Sequence, residues 1–586
     1  MKKRTPEMGG IFTMKFSQYP AVNTEKKVNT IYTVAANCQD CYRCLRVCPV
    51  KAISVHNGQA RVEDELCIKC GTCVKECPQH AKTIRTSLEA VKSIISSGTK
   101  AAASVAPSFA AVYGGWQSTR LPSALKRLGF DYVSETAEGA KLVTEESLKL
   151  TKECSICTTC PAFVNYIEKY CPEYLDMLIP IVSPMVAHGR LLKKRLGDDC
   201  AVVFIGPCAA KKEEAAWPGN KGAIDAVLTF SELQKWLDDE GIELSDCDDG
   251  EFESFGNLEK ARLFPLQGGM LKTGNLDCDG TNYDVVHISG SEDVIEMFGM
   301  DKQDLAFTVI EAMFCKGGCI NGPGINIEKN IFLRKQNVIE YAAKSNIKES
   351  SIQTDIDCGA GFQRHNVDSL LAEVDENRIN QVFEATGKSN PELQLNCGAC
   401  GYSSCRDNAI AVARGLAEAE MCIPYMRRLA MQNTDKIIEA SPNGVIILDK
   451  DMHILNINPA FQTMFTCNNG ILGRHITYLL DSDGYEKLAD GSADKYEAIK
   501  TRHGIKYHEQ IYFLSDEQQY VGMYTDLSKM KFDDTQIDLI KKNTIEQAKE
   551  LLDHQIRFSQ EMAHFLGKST ARSEGLVKQL MELYDE

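Results

Sequence analysis

Residues 201–211 read AVVFIGPCAAK: an apolar run, Ala201–Ile205, followed at once by Gly206-Pro207-Cys208 and, one turn later, by Lys211. The run has the length and composition of a buried strand. A second such run, Ala226–Thr229, and the helical stretches between the runs give residues 86–390 an α/β pattern. Two other cysteine-bearing segments stand in the same region. One is Thr158-Thr159-Cys160-Pro161; the other is Glu311-Ala312-Met313-Phe314-Cys315-Lys316-Gly317-Gly318-Cys319, with Asn321-Gly322-Pro323-Gly324 behind it. The i, i+4 spacing of Cys315 and Cys319 predicts one face of a helical turn. Four thiolates delivered by three separate loops suit a buried cubane, and glycines around Cys319 permit close backbone approach to something bulky. Lys211 would set a cation beside an anionic ligand. Without the cysteines around it, a solvated surface lysine would be the better reading.

Upstream, Cys38, Cys41, Cys44 and Cys48-Pro49 spell CxxCxxCxxxCP, and Cys67, Cys70, Cys73 and Cys77-Pro78 repeat it. Three thiolates on a tight loop wrap one cubane, and the fourth Cys of each run, carried into a following helix, reaches the other. One [4Fe–4S] cluster is therefore expected on Cys38, Cys41, Cys44 and Cys77, and a second on Cys67, Cys70, Cys73 and Cys48. Zinc is the weaker reading, since a structural zinc site takes four ligands and not eight in a double pattern. The repeat resembles the bacterial two-cluster ferredoxin, a resemblance that implies electron transfer. Downstream, Cys397, Cys400, Cys405 and Cys422 read CxxCxxxxCx16C with Gly398 and Gly401 interleaved, and Ala409–Met421 is predicted helical despite Gly415. Four lone cysteines suit zinc too. The segment resembles small four-iron domains of corrinoid and electron-transport proteins, which implies a third [4Fe–4S] cluster, placed as a redox output wire.

At 586 residues the chain is too long for one hydrophobic core and divides into about three to five domains. Many of its 24 cysteines group at short CxxC-type spacings and Met1–Pro20 lacks the apolar core of a secretory leader, so metal ligation is expected and not disulfides. A formal charge of −16 argues against a phosphate-backbone partner, so no nucleic acid is expected. With no apolar run of about 18 residues, no membrane is expected either, and the location expected is cytoplasmic.

The three central segments resemble the signature loops of [FeFe]-hydrogenases: TSCCP, MPCxxKxxE and ExMxCxxGCxxGG. The likeness runs from Ala106-Pro107-Ser108 through Lys126–Asp131 (KRLGFD) to Gly324. It implies that Cys160, Cys208, Cys315 and Cys319 bind the [4Fe–4S] half of the H-cluster. Cys319 would bridge to the two-iron subcluster that carries CO, cyanide and a dithiolate amine. Lys211 and the Ala106–Ser108 backbone would hydrogen-bond cyanide, Met313 would pack near the two irons, and Glu214 would complete the second loop. H2 and protons would be the substrates. The departures carry as much information. Thr159 stands where catalytic members have a proton-relaying cysteine, and a threonine hydroxyl is far too weak an acid for that task. Gly206 replaces a methionine, Pro323 interrupts the last glycines, and Ser183-Pro184-Met185-Val186-Ala187-His188-Gly189 replaces an SPQQMFG-like segment. Slow H2 turnover at a ligand shell still able to bind H2 is the expectation. Cys154, Cys157 and Cys171 are read as non-ligands; a redox pair or a replacement proton relay near Thr159 is the other reading.

In the last third, Gly444–Leu448 and His453–Asn458 are predicted strands, and Asn458-Pro459-Ala460-Phe461 opens a helix with an Asn cap. Two late strand runs, Ile505–Leu514 and Gln519–Thr525, end at Asp526-Leu527-Ser528. This order resembles a PAS domain, including its NPAF entry. His453, His475, His503 and His508 are read as surface or satisfied groups and not haem ligands. Ile537, Ile540, Ile545, Ala548, Leu552, Ile556 and Phe565 fall at near-helical spacing, an amphipathic helix suited to homodimerisation or partner docking. His554 and His564 lack a kinase-like context. The expected organisation is multidomain α/β and α+β: an arm (1–30), a two-cluster ferredoxin domain (31–85), an H-cluster domain (86–390), a small 4Fe-4S domain (391–430), a PAS domain (431–530) and a C-terminal helix (531–586). The whole resembles the sensory [FeFe]-hydrogenases, which implies H2 sensing through a kinase or phosphatase partner. The rivals are a metabolic hydrogenase exchanging electrons with ferredoxin, and an iron–sulphur scaffold lacking the two-iron subcluster.

Overall fold

The cysteine-dense N-terminal region is tied by four short strands, β1 (Ile31–Thr33), β2 (Ile53–His56), β3 (Gln59–Val62) and β4 (Lys82–Ile84). They pair antiparallel as β1–β4 and β2–β3, which binds the two halves of the internal repeat together. Short helices Arg43–Val47 and Thr72–Lys75 carry Cys44 and Cys73. The fourth cysteines lie past these helices and not inside following ones: Cys48 caps the first, and Cys77 sits beyond the second.

The structure is a computed structural model. It describes residues 29–276, 284–327, 329–344, 355–491, 495–502, 504–515 and 517–528. The chain forms two units, Met1–Met426 and Arg427–Glu586.

In the first unit, β5 (Ala101–Val105), β6 (Tyr132–Glu135), β7 (Ser155–Ile156), β8 (Ala201–Gly206), β9 (Ala226–Thr229), β10 (Val285–Ser289) and β11 (Val309–Met313) build two parallel sheets. Their orders are β6-β5-β8-β9 and β10-β11-β7. Parallel strands covered on both faces read as continuous apolar runs; AVVFIG of β8 is buried at every residue. Val105, Phe109, Leu125, Val203, Ile205 and Leu228 are the heart of this core, each worth about 1.5–3 kcal/mol when fully buried. Helices Ala137–Leu150 and Pro184–Leu196 lie side by side. Their approach is close enough that a Cβ on Gly139 would sit 2.3 Å from the Pro184 carbonyl and 2.7 Å from His188 Cβ.

Helix Cys405–Ala413 begins in a Ser404–Asp407 capping box and packs on helix Glu376–Ala385 through Ile379, Phe383 and Ala409. It does not run on to Met421 as predicted. Gly415, at φ +74°, follows its end, and a separate short turn, Ala419–Met421, leads to Cys422.

The second unit holds an antiparallel sheet of β12 (Gly444–Leu448), β13 (Ile454–Ile457), β14 (Lys495–Arg502), β15 (Ile505–Leu514) and β16 (Gln519–Asp526), in the order β13-β12-β16-β15-β14. The Asn458 side chain accepts from Phe461 N at 2.9 Å and starts helix Pro459–Phe465. Strand β14 escaped the sequence reading because its charges, Lys495, Glu497, Lys500 and Arg502, fill a half-exposed edge. His508 pairs with Glu497 at 2.7 Å and His453 with Asp449 at 3.5 Å. The predicted C-terminal helix, His503 and most of the N-terminal arm lie outside the described residues. Among the described residues, no helix is long and apolar enough to cross a membrane.

Candidate cluster-binding site

Parallel strands end on one side, and the crevice at their carboxyl ends is where open α/β sheets bind ligands. Here β5 runs into Ala106-Pro107-Ser108, β8 into Pro207-Cys208, β7 towards Thr159-Cys160 and β11 into Phe314-Cys315. These loops line a cleft of about 870 Å³, open solvent included, whose walls include Cys160, Cys208, Cys315 and Cys319, with Ala106, Pro107, Ser108, Thr159, Lys211 and Met313. Glu214 is not a wall residue and reaches the cleft through Lys211, its Oε2 lying 2.7 Å from Lys211 Nζ. Lys211 Nζ also donates to the Thr159 carbonyl at 3.4 Å.

Cys315 and Cys319 do not share a helical turn. Gly317 and Gly318 take φ of +78° and +92°, so the chain reverses between the two cysteines. Gly318 N donates to the Cys315 carbonyl at 3.0 Å and Cys319 N to Pro265 O at 2.8 Å. A Cβ on Gly318 would lie 2.4 Å from that Pro265 oxygen, so only glycine fits.

The donor set fits a metal cluster. Burial pushes the Cys208 thiol up to about 12, the charge of Cys160 adds to it, and Lys211 opposes. Burial raises Cys315 far above its usual value, helped by Cys208, Cys319 and Cys160. Thiols gathered in this way give up their protons to metal and not to water. Ser108 Oγ is buried against the cleft without a hydrogen-bond partner among the described residues, a donor available to a bound ligand.

The N-terminal thiols gather in two sets. Cys44, raised by burial, also feels Cys41, Cys38 and Cys77. Cys48, pushed to about 12 by burial, feels Cys70 and Cys67, while Cys73 feels Cys70, Cys67 and Cys48. Cys70 is itself a wall of the central cleft and lies within electrostatic reach of Cys160. Sequence reasoning missed this contact, because nothing local to either motif announces it. Cys397, Cys400, Cys405 and Cys422 surround a separate cavity of about 350 Å³. Tyr402, Ala417 and Met421 of that segment share a core with Leu45, Ala52 and Val55. Lys51 Nζ donates to the carbonyls of Leu45, Arg46 and Gly401 at 3.0–3.1 Å. Tyr402 lies near both Cys400 and Cys48.

Of the three remaining cysteines near Thr159, Cys154 Sγ donates to Leu305 O at 3.3 Å. Cys171 is buried beside Tyr166. Cys157 is buried against Glu311, whose carboxyl is raised to about 7 by burial although Leu271 N and Met270 N donate to it.

A parallel α/β domain with cysteine loops at its strand ends, beside a region of eight cysteines in a repeated motif, has the make-up of an iron–sulphur redox protein. Family models make that class specific. Residues 99–323 match the iron only hydrogenase large subunit, C-terminal domain; residues 30–80 match a 4Fe-4S dicluster domain, 394–424 an Fe-S cluster domain and 433–498 a PAS domain. The chain thus combines a region similar to the C-terminal domain of the iron only hydrogenase large subunit with regions similar to a 4Fe-4S dicluster domain, an Fe-S cluster domain and a PAS domain. It is 26% identical to the NADP-reducing hydrogenase subunit HndD of Solidesulfovibrio fructosivorans, over 49% of this chain and 63% of that relative. It is 26% identical to iron hydrogenase 1 of Clostridium pasteurianum, over 42% and 52%. The chain therefore spans about half to two-thirds of these relatives' length. A shorter match, 36% identical over 20% of this chain and 22% of the relative, is to the cytosolic Fe-S cluster assembly factor NAR1 of Vanderwaltozyma polyspora. The apo [FeFe]-hydrogenase HydA1 structure from Chlamydomonas reinhardtii aligns over 48% of this chain and 100% of that chain, at 17% identity and a TM-score of 0.37.

Proposed function

We propose that the protein binds H2 at an H-cluster, exchanges it slowly with protons, and reports the resulting redox state through its other clusters and PAS domain to a signalling partner. In this reading Cys160, Cys208, Cys315 and Cys319 hold the H-cluster within domain 86–390. The sets Cys38, Cys41, Cys44, Cys77 and Cys67, Cys70, Cys73, Cys48 hold two [4Fe–4S] clusters in domain 31–85, and Cys397, Cys400, Cys405 and Cys422 hold a third in 391–430. When bound, an H-cluster supplies the metal site at which H2 is split or formed. The chain's own residues orient and insulate that site: Lys211 offers a cation held by Glu214, Ser108 a free hydroxyl, and Met313 an apolar wall.

The observation that carries the proposal is the cleft itself, whose walls hold the thiols, Lys211, Ser108, Met313 and Thr159 together; in this reading Thr159 stands at the position of the proton-relaying cysteine of catalytic members. A full ligand shell with a weak proton exit suits a reporter better than a fast catalyst. Two tests separate the alternatives. Infrared spectra of protein matured with the two-iron unit should show CO and cyanide bands; a chain that carries only a cubane, as a scaffold would, shows none. Thr159→Cys should then raise H2 turnover by about ten- to a hundredfold. A wild-type rate comparable with catalytic relatives would defeat the reporting role in favour of a ferredoxin-linked metabolic hydrogenase.

The N-terminal set that includes Cys70 abuts the cleft, and Lys51 and Tyr402 link its Cys48 to the third set. This supports electron flow from the cleft through the Cys48 set to the third cluster. A kinase or phosphatase partner and a homodimer belong to the same proposal.

A further inference from the structure

Thr159 removes the expected proton exit, yet another polar chain starts at the same cleft. Thr136, at the carboxyl end of β6, is a wall residue and 3% exposed. Its Oγ1 lies 2.8 Å from Ser104 Oγ on β5. Ser104 Oγ lies 2.7 Å from His188 Nδ1, and His188 Nε2 lies 3.1 Å from Ser134 Oγ on β6. Ser134 Oγ donates to Glu138 Oε1 at 2.9 Å. Glu138 meets Arg195, whose two terminal nitrogens donate to its oxygens at 3.3 and 2.8 Å and whose side chain is 17% exposed. Tyr132 OH completes this outer end, 3.2 Å from Arg195.

We propose that Thr136, Ser104, His188 and Ser134 form a proton path from the cluster cleft to the Glu138–Arg195 pair. The proposal rests on the hydrogenase reading of the cleft. Every link is a hydroxyl or an imidazole, groups that accept a proton on one side while releasing one on the other. A proton arriving at Thr136 Oγ1 frees that hydroxyl's own proton to Ser104, and Ser104 in turn protonates His188 Nδ1. His188 releases the proton on Nε2 to Ser134, and Ser134 passes its own to Glu138. One bond to hydrogen forms and one breaks at each hydroxyl and at the imidazole; Glu138 takes up the arriving proton as a neutral acid beside Arg195 and gives it back when the chain runs in reverse, and no electron is needed. The passage leaves His188 in its other tautomer, which returns when a proton runs back. Such a path suits one proton out on H2 loading and one back on release.

The alternative exit by Cys157 and Glu311 is less connected. The Glu311 carboxylate accepts from the backbone N–H groups of Met270 and Leu271, and amides do not pass protons onward. The plainer role for His188 is a satisfied core histidine that ties helix Pro184–Leu196 to the sheet. Gly139 makes that packing possible by admitting His188 Cβ at a distance where a side chain would clash.

Three variants, His188→Gln, Ser104→Ala and Thr136→Val, separate the two roles in matured full-length protein. CO and cyanide band intensity first reports cluster loading, so loss of the bands in wild type refutes the hydrogenase reading and not the path. Per loaded site, H2/D2O exchange should fall at least tenfold in each variant and recover in Thr136→Ser; exchange within twofold of wild type in all three overturns the path. A second readout needs no cluster. In 15N-histidine-labelled chain, the ring signals absent from His188→Gln should average between the two tautomers. A single locked tautomer overturns the proposal, and the assignment holds wherever His188→Gln keeps the remaining histidine signals in place.

Discussion

The N-terminal cysteine region and the central cleft both gather thiols, but they do so by different means. In residues 31–85 the place of most thiols follows from neighbours a few positions away, on turns and short helices joined by β1–β4 and β2–β3. In the central domain the four thiols arrive from loops after β7, β8 and β11, and the parallel sheets alone bring them together. Local motifs therefore buy independence from the rest of the fold, whereas the cleft depends on long-range pairing. Damage to one region should spare the other.

Loss of a ligand is the harshest test of that separation. Cys319→Ser should abolish CO and cyanide bands entirely while leaving the electron paramagnetic resonance signals of the N-terminal clusters. Cys67→Ser should do the reverse, removing one N-terminal signal and keeping the bands. If either variant loses both, the two regions are not separable in the way proposed.

A non-ligand probes the dependence on the sheet. Arg262 donates to both oxygens of Glu135 at the end of β6, at 3.0 and 2.6 Å, and both side chains are buried. This pair pins the turn that leads to Phe264 and Pro265, two walls of the cleft. Breaking a buried pair strands a charge, so Arg262→Met should cost about 3–5 kcal/mol. Thermal unfolding followed at the central domain should fall by many degrees, with the N-terminal cluster signals retained at temperatures below the transition.

The same contrast decides what could be read from the sequence. In the N-terminal region motif spacing and proximity coincide: Cys44 feels Cys41, Cys38 and Cys77, and Cys73 feels Cys70, Cys67 and Cys48 ahead of Cys44. The strand ahead of Cys208 and the meeting of Cys160, Cys208, Cys315 and Cys319 were equally legible. The turn between Cys315 and Cys319 was not: spacing alone suggested a helix, and the two left-handed glycines with the Pro265 contact decided otherwise. His188 stood in a segment noted only as divergent, since its partners Ser104 and Ser134 come from other strands. In the second unit, β14 carries no apolar run, and its existence follows from pairing with β15 along its length.

Glu311 offers a gentler test of burial in the centre. Its carboxyl, near 4.5 in an unfolded chain, is raised to about 7 in the fold, chiefly by burial. The folded state therefore keeps a proton that the unfolded state has already released, and stability falls as pH rises from about 4.5 to about 7. The shift corresponds to about 3 kcal/mol across that window. Glu311→Gln should flatten the decline, measured as denaturant midpoint against pH. An unchanged slope would mean that Glu311 is not buried as a charge-averse group.

The smallest effect concerns the join between the N-terminal region and the third cysteine set. Lys51 holds three carbonyls at once, those of Leu45 and Arg46 on one side and Gly401 on the other. Replacing it with methionine keeps the stem but strips the donors, at a cost of about 1–2 kcal/mol in local docking. That cost corresponds to roughly tenfold faster amide exchange wherever the local opening is what exposes the backbone. In Lys51→Met, exchange should quicken across Gly398–Gly401 and at Val55, whose amide donates to Leu416 O at 3.0 Å. Strands β5 and β8 should keep their protection, because their pairing is internal to the central sheet. If instead β5 and β8 loosen with Gly401, the third set is braced by the whole first unit and not by the N-terminal region, and the path from the Cys48 set to Cys400 loses its structural basis.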